Sequence, residues 1–211
     1  MAYTEIGSAE ELRELLGAPS GRAVTKERSR LHALDREWLA TSPFCVLATC
    51  DAAGNCDASP KGDPAGQLVH VLDDATIAIA ERPGNKRADG YLNVLSNPHV
   101  GIISLIPGRN ETLRINGRAR LLRDAPFFGD LEVRGHRPIL ALLVEIDTIF
   151  FHCAKAFMRS ELWRPETWQP GVLPSHAAIT KAVQETAETL DELEEYYSAA
   201  NYAPKLYAKQ G

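Results

Sequence analysis

The feature that most constrains the fold is a series of short, apolar, strand-like runs joined by tight turns, with one helix-like run among them. Residues that favour β-hairpin turns stand between the runs, as at 51–55 and 107–110. A parallel doubly wound sheet needs a helix between most of its strands, and the sequence does not predict them. We therefore predict a closed or partly closed antiparallel barrel. The strand-like runs are 44–50, 56–60, 67–72, 76–80, 99–106, 111–122 and 139–149, and the helix-like run is 88–96.

Helical spacing of apolar residues occurs towards both ends of the chain. Ser8 and Glu11 stand at capping-box spacing before a group of leucines, which predicts a short amphipathic helix over 8–16. Further helices are predicted over about 25–40 and over 180–197, and the acidic face of the latter is interpreted as solvated surface. The predicted organisation is a single domain over 1–211, with an N-terminal helical extension over 1–43 and a C-terminal one over 164–211.

The charge and composition of the chain limit the kinds of partner that it is expected to bind. The 211-residue chain has a formal net charge of −5, mixed along its length, which gives no general attraction to nucleic acid or anionic membrane. No apolar run reaches the roughly 18 residues of a membrane span, and no secretory leader pattern stands at the N-terminus, so we expect a cytoplasmic protein. The four cysteines lack Cys-x-x-Cys spacing and the histidines lack metal-ligand pairing, so no metal site is predicted and the cysteines are expected to be reduced.

The turn over 81–89 is the first candidate site. A Pro-Gly turn signal and Asn85 precede two adjacent cations, Lys86 and Arg87, which stand just before the predicted helix. Because a helix N-terminus carries free N–H groups and partial positive charge, this arrangement predicts a compact site for a phosphate. The alternative is a solvated turn whose charges only flank the helix.

Three further segments carry polar groups that could bind a ligand. The turn over 59–63 offers a hydroxyl, an ammonium, a flexible glycine and a carboxylate, or else is an ordinary polar turn. Arg114 lies on the polar face of a strand, where it either serves a site or forms a surface salt bridge. His152, Lys155 and Arg159 have the spacing of one helical face and could bind an anion, or could complement the helix dipole.

The order of these motifs resembles the pyridoxamine 5'-phosphate oxidase-like superfamily of FMN-binding split β-barrels. The similarity is closest to a bacterial subgroup of FMN-dependent enzymes of unassigned substrate. The matching segments are 59–63, 82–87, the helix end at 97–98, 107–109, 111–117 and 152–157. No Gly-x-Gly-x-x-Gly, Walker or Gly-x-Ser-x-Gly motif competes with this interpretation.

The resemblance implies an antiparallel split β-barrel of about six strands with flanking helices, in a homodimer that holds two FMN molecules at the subunit interface. It also implies the cofactor-binding residues. The phosphate-binding turn of the family is matched by Arg82, Asn85, Lys86 and Arg87, and the segment along the flavin ring and ribityl chain is matched by Ser59, Lys61, Gly62 and Asp63. The strand that contacts the ring or the phosphate is matched by Thr112 and Arg114. The segment that closes the site from the second subunit is matched by His152, Lys155, Arg159, Ser160 and Trp163.

The implied function is flavin-dependent oxidation or reduction of a small molecule, with NADH or NADPH as a possible electron source. The alternatives are a non-catalytic protein for flavin binding, redox sensing or FMN storage, and the same barrel with a deazaflavin or a haem-related ligand. Pyridoxamine phosphate oxidases end in a basic segment with Trp and His that holds the substrate phosphate. Residues 202–211 do not match that segment, so vitamin B6 oxidation is not predicted.

Overall fold

The structure, a computed structural model, describes residues 2–207. Met1 and residues 208–211 lie outside the described residues. Residues 208–211 are the end of the predicted C-terminal extension over 164–211, and also of the segment 202–211 that was compared with the oxidases. The centre of the fold is one antiparallel sheet of seven strands. In chain order the strands are β1 (Phe44–Cys50), β2 (Cys56–Gly62), β3 (Val69–Val71), β4 (Thr76–Ala80), β5 (His99–Leu105), β6 (Thr112–Leu122) and β7 (Ala141–His152).

Helices flank this sheet and link its parts. Four short 3₁₀ turns lie among them, at Pro126–Gly129, Pro165–Thr167, Pro170–Val172 and Ala203–Lys205. Among the described helices, none combines the length and the apolar character needed to cross a bilayer. The helices are α1 (Ala9–Leu16), α2 (Gly21–Val24), α3 (Ala33–Thr41), α4 (Asp89–Ser96), α5 (Lys155–Arg159), α6 (His176–Val183), α7 (Leu190–Tyr197) and α8 (Ala199–Tyr202).

The sheet curls until its two ends meet. The strand order is β2-β1-β5-β6-β7-β4-β3, so four strands separate β2 from β4. Even so, Arg82 Nε, just after β4, donates a hydrogen bond of 2.8 Å to Asp63 Oδ2, just after β2. Lys61 Nζ likewise lies 3.2 Å from Glu81 Oε2. Side chains therefore join the two ends of the sheet, and within the described residues no backbone ladder closes it there.

The predicted antiparallel sheet with flanking helices is confirmed, with two differences. All seven strand-like runs form strands, so the sheet has seven strands instead of about six, and it is not a closed barrel. The second strand also extends further than predicted. Lys61 and Gly62, assigned to a loop, pair with Cys45 and Phe44 because β1 continues alongside them.

The apolar core fills the inside of the curl. Along β6, the predicted alternation is confirmed. Leu113, Ile115 and Ala119 are buried, whereas the polar residues Arg114, Asn116, Arg118 and Arg120 are half-buried or exposed. Helices α3 and α4 cover the core with Trp38, Leu39, Tyr91 and Val94. The main cluster also contains Leu31, Cys45, Leu47, Leu68, Val69, Ile77, Ile79, Val100, Ile102, Leu142, Val144, Ile146 and Ile149.

Two predicted helices are wrong in extent. The run over 25–40 becomes helical only at Ala33, because the backbone of Arg28 exchanges two hydrogen bonds with Ile149 of β7. The run over 180–197 is interrupted between Val183 and Leu190, because Thr189 and Glu192 form a capping box that begins a new helix. Tertiary pairing decides the first boundary, and a local cap decides the second.

A bulge in β7 makes Gly117 indispensable to the sheet. The register of β6 and β7 shifts after Asn116, and a Cβ atom on Gly117 would lie 2.1 Å from the Glu145 carbonyl oxygen. We expect Gly117→Ala to lower the free energy of unfolding by on the order of 2–4 kcal/mol, measured by urea denaturation. Gly129→Ala is the matched control, because no atom lies within 4 Å of its Cβ position. Equal stability of the two variants would contradict the prediction.

Candidate functional site

The turn between β4 and α4 has a strained backbone. Lys86 and Ala88 adopt left-handed conformations with φ values of 62° and 58°, each of which costs a non-glycine residue on the order of 1 kcal/mol. Asn85 Oδ1 stabilises the turn by accepting a 3.1 Å hydrogen bond from the Arg87 N–H. Strain of this kind is concentrated at binding sites, where the surrounding structure maintains it.

Helix α4 begins at Asp89, one residue later than predicted, with Ala88 as its N-cap. Alanine has no side-chain oxygen to cap the helix, and no described residue accepts a hydrogen bond from the N–H groups of Ala88, Asp89 or Gly90. These donors, together with the positive end of the helix dipole, can bind an anion.

Carboxylates stand close to this anion site. The Arg87 guanidinium is exposed, and its Nε lies 2.6 Å from Asp89 Oδ2. Asp89, and more weakly Asp57, raise the pKa of Arg87 above its ordinary value. Because the pair is open to solvent, water screens it and a phosphate can replace the carboxylate.

A more enclosed network lies at the base of the turn. Glu81 Oε2 accepts hydrogen bonds from Lys61 Nζ, at 3.2 Å, and from the hydroxyl of Tyr91. Lys61 Nζ also lies 4.7 Å from the centre of the Tyr91 ring. Burial, and then the Glu81 carboxylate, raise the pKa of Tyr91, so the phenol stays protonated and remains a hydrogen-bond donor.

Asp63 and Arg82 form a second buried pair. The Asp63 side chain is only 1% exposed, and besides Arg82 it accepts a 2.9 Å hydrogen bond from the Tyr207 hydroxyl. Arg82 also donates to the Leu131 carbonyl at 2.9 Å. These contacts engage both carboxylate oxygens of Asp63 and two of the three guanidinium nitrogens of Arg82, so their main effect is to fix the framework of the site.

Three clefts meet around Glu81, with volumes of about 770, 290 and 500 Å³. Glu81 lines all three. Lys86 lines the largest cleft, whereas Arg87 lines the smallest, so the two adjacent cations face different spaces. The predicted residues that line the two smaller clefts are Ser59, Lys61, Gly62, Asp63, Arg82, Asn85 and Arg87.

The other predicted residues form a separate group at the far ends of β6 and β7. Thr112 pairs with His152, and Arg114 pairs with Phe150. Arg114 and Lys26 both approach the Phe150 ring, at 5.1 and 4.5 Å from its centre. His152 Nδ1 is buried and has no hydrogen-bond partner among the described residues. Burial, then Lys26 and Arg114, lower the pKa of His152, which favours the neutral imidazole.

The segment after β7 continues this group. The exposed Lys155 and Arg159 lie on α5, and the hydroxyl of Ser160, just after it, donates to the Phe157 carbonyl at 3.1 Å. Trp163 stacks on Phe157 and donates from Nε1 to the Arg109 carbonyl at 2.7 Å. Trp163 thus fastens the segment to the loop between β5 and β6.

The two groups do not share a cleft within one chain. Ala80, next to Glu81, pairs with Ala141 at the start of β7, whereas His152 ends that strand. The 12 residues of β7 place these points roughly 36 Å apart along the strand at about 3.3 Å per residue. None of the three clefts around Glu81 is lined by a residue of the second group.

Sequence reasoning missed several residues that the structure brings to these sites. Tyr91 is on α4, and its spacing indicates only a core position. Lys26 and Tyr207 come from the two extensions, where no motif marks them. Glu81 belongs to the turn over 81–89, but a lone glutamate there does not indicate a site residue. Among residues 2–207, no group of three or more His, Cys, Asp or Glu side chains is placed to bind a metal ion.

One protein family matches most of the central part of this chain, and several solved structures are similar to it. The family described as pyridoxamine 5'-phosphate oxidase matches residues 31–153, more than half of the chain. No curated protein matches the chain. The solved structure of HupZ from Group A Streptococcus is 19% identical with a TM-score of 0.46, covering 57% of this chain and 93% of that one.

Two further solved structures are similar. One is described as a putative pyridoxamine 5'-phosphate oxidase from Lactobacillus delbrueckii; it is 20% identical with a TM-score of 0.47, covering 60% of this chain and 99% of that one. The other is described as an FMN-binding protein from Syntrophomonas wolfei; it is 15% identical with a TM-score of 0.43, covering 57% of this chain and 89% of that one.

We expect the buried ion pair between Asp63 and Arg82 to contribute strongly to the stability of the fold. Arg82→Met leaves the buried Asp63 carboxylate without its cation, and we expect the free energy of unfolding to fall by about 3 kcal/mol in urea denaturation. The control Arg118→Met breaks an exposed pair with Asp147 and should cost less than about 0.5 kcal/mol. If the two variants lose equal stability, the pair between Asp63 and Arg82 does not hold the ends of the sheet together.

Proposed function

The chain belongs to the pyridoxamine 5'-phosphate oxidase family, and on that premise we propose that it binds FMN in the two smaller clefts beside Glu81 and acts as a flavin-dependent oxidoreductase. The observation that carries the proposal is the convergence of the end of β2 with the turn after β4. Asn85 of that turn lines both smaller clefts together with Ser59 and Lys61, and Arg87 lines the smallest. Those two segments come from opposite ends of the sheet order.

The residues present fit the chemistry of FMN. This cofactor has a dianionic phosphate, a polar ribityl chain and a planar apolar ring, so it needs cations and N–H groups at one end and walls with few polar groups at the other. The turn supplies Arg87, Lys86 and the free N–H groups at the start of α4. Cleft volumes of about 290 and 500 Å³ are of the size that holds a bound small molecule.

Each segment has a distinct role in this proposal. Arg87 and the α4 N–H groups hold the phosphate, and Lys86, which lines the adjoining largest cleft, adds positive charge beside them. Ser59 and Asn85 offer hydrogen bonds to the polar chain. Gly62 and the pair between Asp63 and Arg82 keep β2 against the turn.

Bound FMN supplies hydride exchange with a small-molecule substrate. Glu81 holds Lys61 and the protonated Tyr91 at the junction of the clefts. Lys61 keeps N–H donors for a ligand, whereas the Tyr91 hydroxyl gives its one proton to Glu81 and can only accept a hydrogen bond from a ligand. NADH or NADPH remains the proposed electron source. No side chain is assigned a covalent role, because this chemistry needs no protein nucleophile.

We further propose a homodimer in which each flavin site is completed by the second group of the partner. Arg114 takes part in no ion pair among the described residues, and His152 Nδ1 is unsatisfied, so both can serve a ligand that is not supplied within the chain. In one chain these residues are too far from the turn to share its clefts. The group that would close the site consists of Thr112, Arg114, His152, Lys155, Arg159, Ser160 and Trp163.

The outer face of the sheet supports association. An antiparallel sheet usually has polar residues on the face that meets water. Here the outward positions of β1 and β5 include Phe44, Val46, Ala48, Ile103 and Leu105, and Phe44 and Ile103 are 36% and 40% exposed. A second copy of the chain would bury this apolar surface.

The phosphate assignment predicts a loss of FMN affinity. Lys86→Ala together with Arg87→Ala removes two charge-assisted contacts, so we expect the dissociation constant of FMN to rise about a hundredfold or more in a flavin-fluorescence titration. Arg118→Ala together with Arg120→Ala removes the same charge from the outside of β6 and is the control. Unchanged FMN affinity in the first variant would refute the assignment. An absorption spectrum and the mass of the released ligand would identify a deazaflavin or haem-related ligand instead.

The dimer proposal predicts that residues far from the turn affect FMN binding. Arg114→Ala should weaken FMN binding at least about tenfold while analytical ultracentrifugation still shows a dimer. Arg118→Ala, in the same strand, should leave both unchanged. A monomeric protein with full FMN affinity would contradict the proposal.

A further inference from the structure

The largest cleft has walls that the FMN proposal does not use. Its volume is about 770 Å³, and its far side is the connection between β6 and β7, at 123 and 135–140. Only Arg82 and Lys86 among the sequence-predicted residues line it. It shares Glu81 with both smaller clefts, so it is next to the proposed flavin site but is mostly built from other residues.

Positive charge dominates this cleft. Arg82, Lys86, Arg123 and Arg137 line it, against the single carboxylate of Glu81, which already accepts two hydrogen bonds. Arg123 is exposed and forms no ion pair among the described residues. Arg137 lies 5.4 Å from the centre of the Phe128 ring and forms an ion pair with the exposed Asp124, at 2.6 Å, which solvent screens. The cleft therefore has cations available for an anionic group.

Apolar and aromatic surfaces form the rest of the wall. Pro83, Pro138, Leu140 and Tyr91 line the cleft, and Ile139 is 62% exposed there although it is large and apolar. An exposed isoleucine beside prolines and a tyrosine offers a flat apolar surface to a ligand.

Tyr207 shows that a planar ring fits at the rim of the largest cleft. Its ring lies nearly parallel to His136, with centres 6.2 Å apart and an angle of 20° between the planes. The guanidinium groups of Arg82 and Arg134 lie 5.8 and 5.3 Å from its centre. A left-handed turn at Arg134 and Gly135, with φ values of 52° and 78°, presents Arg134 to the ring. The rim of the cleft thus binds a planar aromatic ring between cations.

We propose that this cleft is a second ligand site, which binds a planar aromatic molecule carrying a carboxylate, sulfonate or phosphate group. Arg123 and Arg137 hold the anionic group, and Ile139, Tyr91 and the prolines contact the ring. Because the cleft adjoins the flavin clefts at Glu81, this ligand is the candidate substrate class of the enzyme. That last step rests on the proposed function, whereas the binding site itself does not.

The test uses 2-naphthoate, a fluorescent planar carboxylate, titrated into the full-length protein with and without saturating FMN. We expect saturable binding in both cases, with at least tenfold weaker binding of the neutral 2-naphthamide. Arg123→Gln removes a cation that forms no ion pair among residues 2–207, and Ile139→Asp puts a carboxylate on the apolar wall. Both residues are exposed, so the fold tolerates the changes, and each should weaken 2-naphthoate binding about tenfold or more.

The control is Arg118→Gln, which removes an exposed arginine of β6 outside the cleft. Absence of 2-naphthoate binding, equal affinity in Arg123→Gln and the control, or displacement of FMN by 2-naphthoate would each overturn the second site. FMN affinity is measured on the same variants. Intact 2-naphthoate binding in a protein that does not bind FMN would refute only the proposed flavin function.

Discussion

The buried ion pair between Asp63 and Arg82 is the interaction on which the rest of the site depends. It joins the ends of two strands that four other strands separate in the sheet, so it forms only when the sheet has curled. The Asp63 side chain is almost fully buried, and taking a carboxylate out of water is costly unless its partners are well placed. Arg82 and Tyr207 provide those partners. The curled sheet and the satisfied carboxylate therefore require each other.

Closure of the curl also gathers the chemically useful groups. It brings Lys61 of β2 to Glu81, which in turn accepts the Tyr91 hydroxyl from α4. Glu81 thereby lies at the meeting point of the three clefts, with its charge offset by Lys61. A ligand in any of the clefts meets a fixed set of donors, because the same contacts that hold the sheet together orient these side chains.

The turn after β4 is more exposed than the network of Lys61, Glu81 and Tyr91 beneath it. Lys86 and Ala88 are held in left-handed conformations, and Asn85 maintains the backbone between them. The ion pair of the exposed Arg87 with Asp89 is open to solvent, so this cation stays accessible to a ligand phosphate. The cationic group around Arg114 and the apolar outer face of the sheet lie elsewhere on the chain, and the proposed homodimer would bring this group to the flavin site of the partner.

The sequence alone determined the local elements: the strand-like runs, the hairpins, and the turn with Asn85, Lys86 and Arg87 before a helix. Alternation, turn residues and adjacent charges are short-range signals, and they specify structure only over short stretches of chain. Only the tertiary structure decided that Asp63 pairs with Arg82, and that Tyr207, 144 residues along the chain from Asp63, completes that pair. It also delayed the start of the predicted helix over 25–40 to Ala33, by pairing the backbone of Arg28 with β7. These outcomes depend on how far the sheet curls, a property of all seven strands together that no single segment encodes.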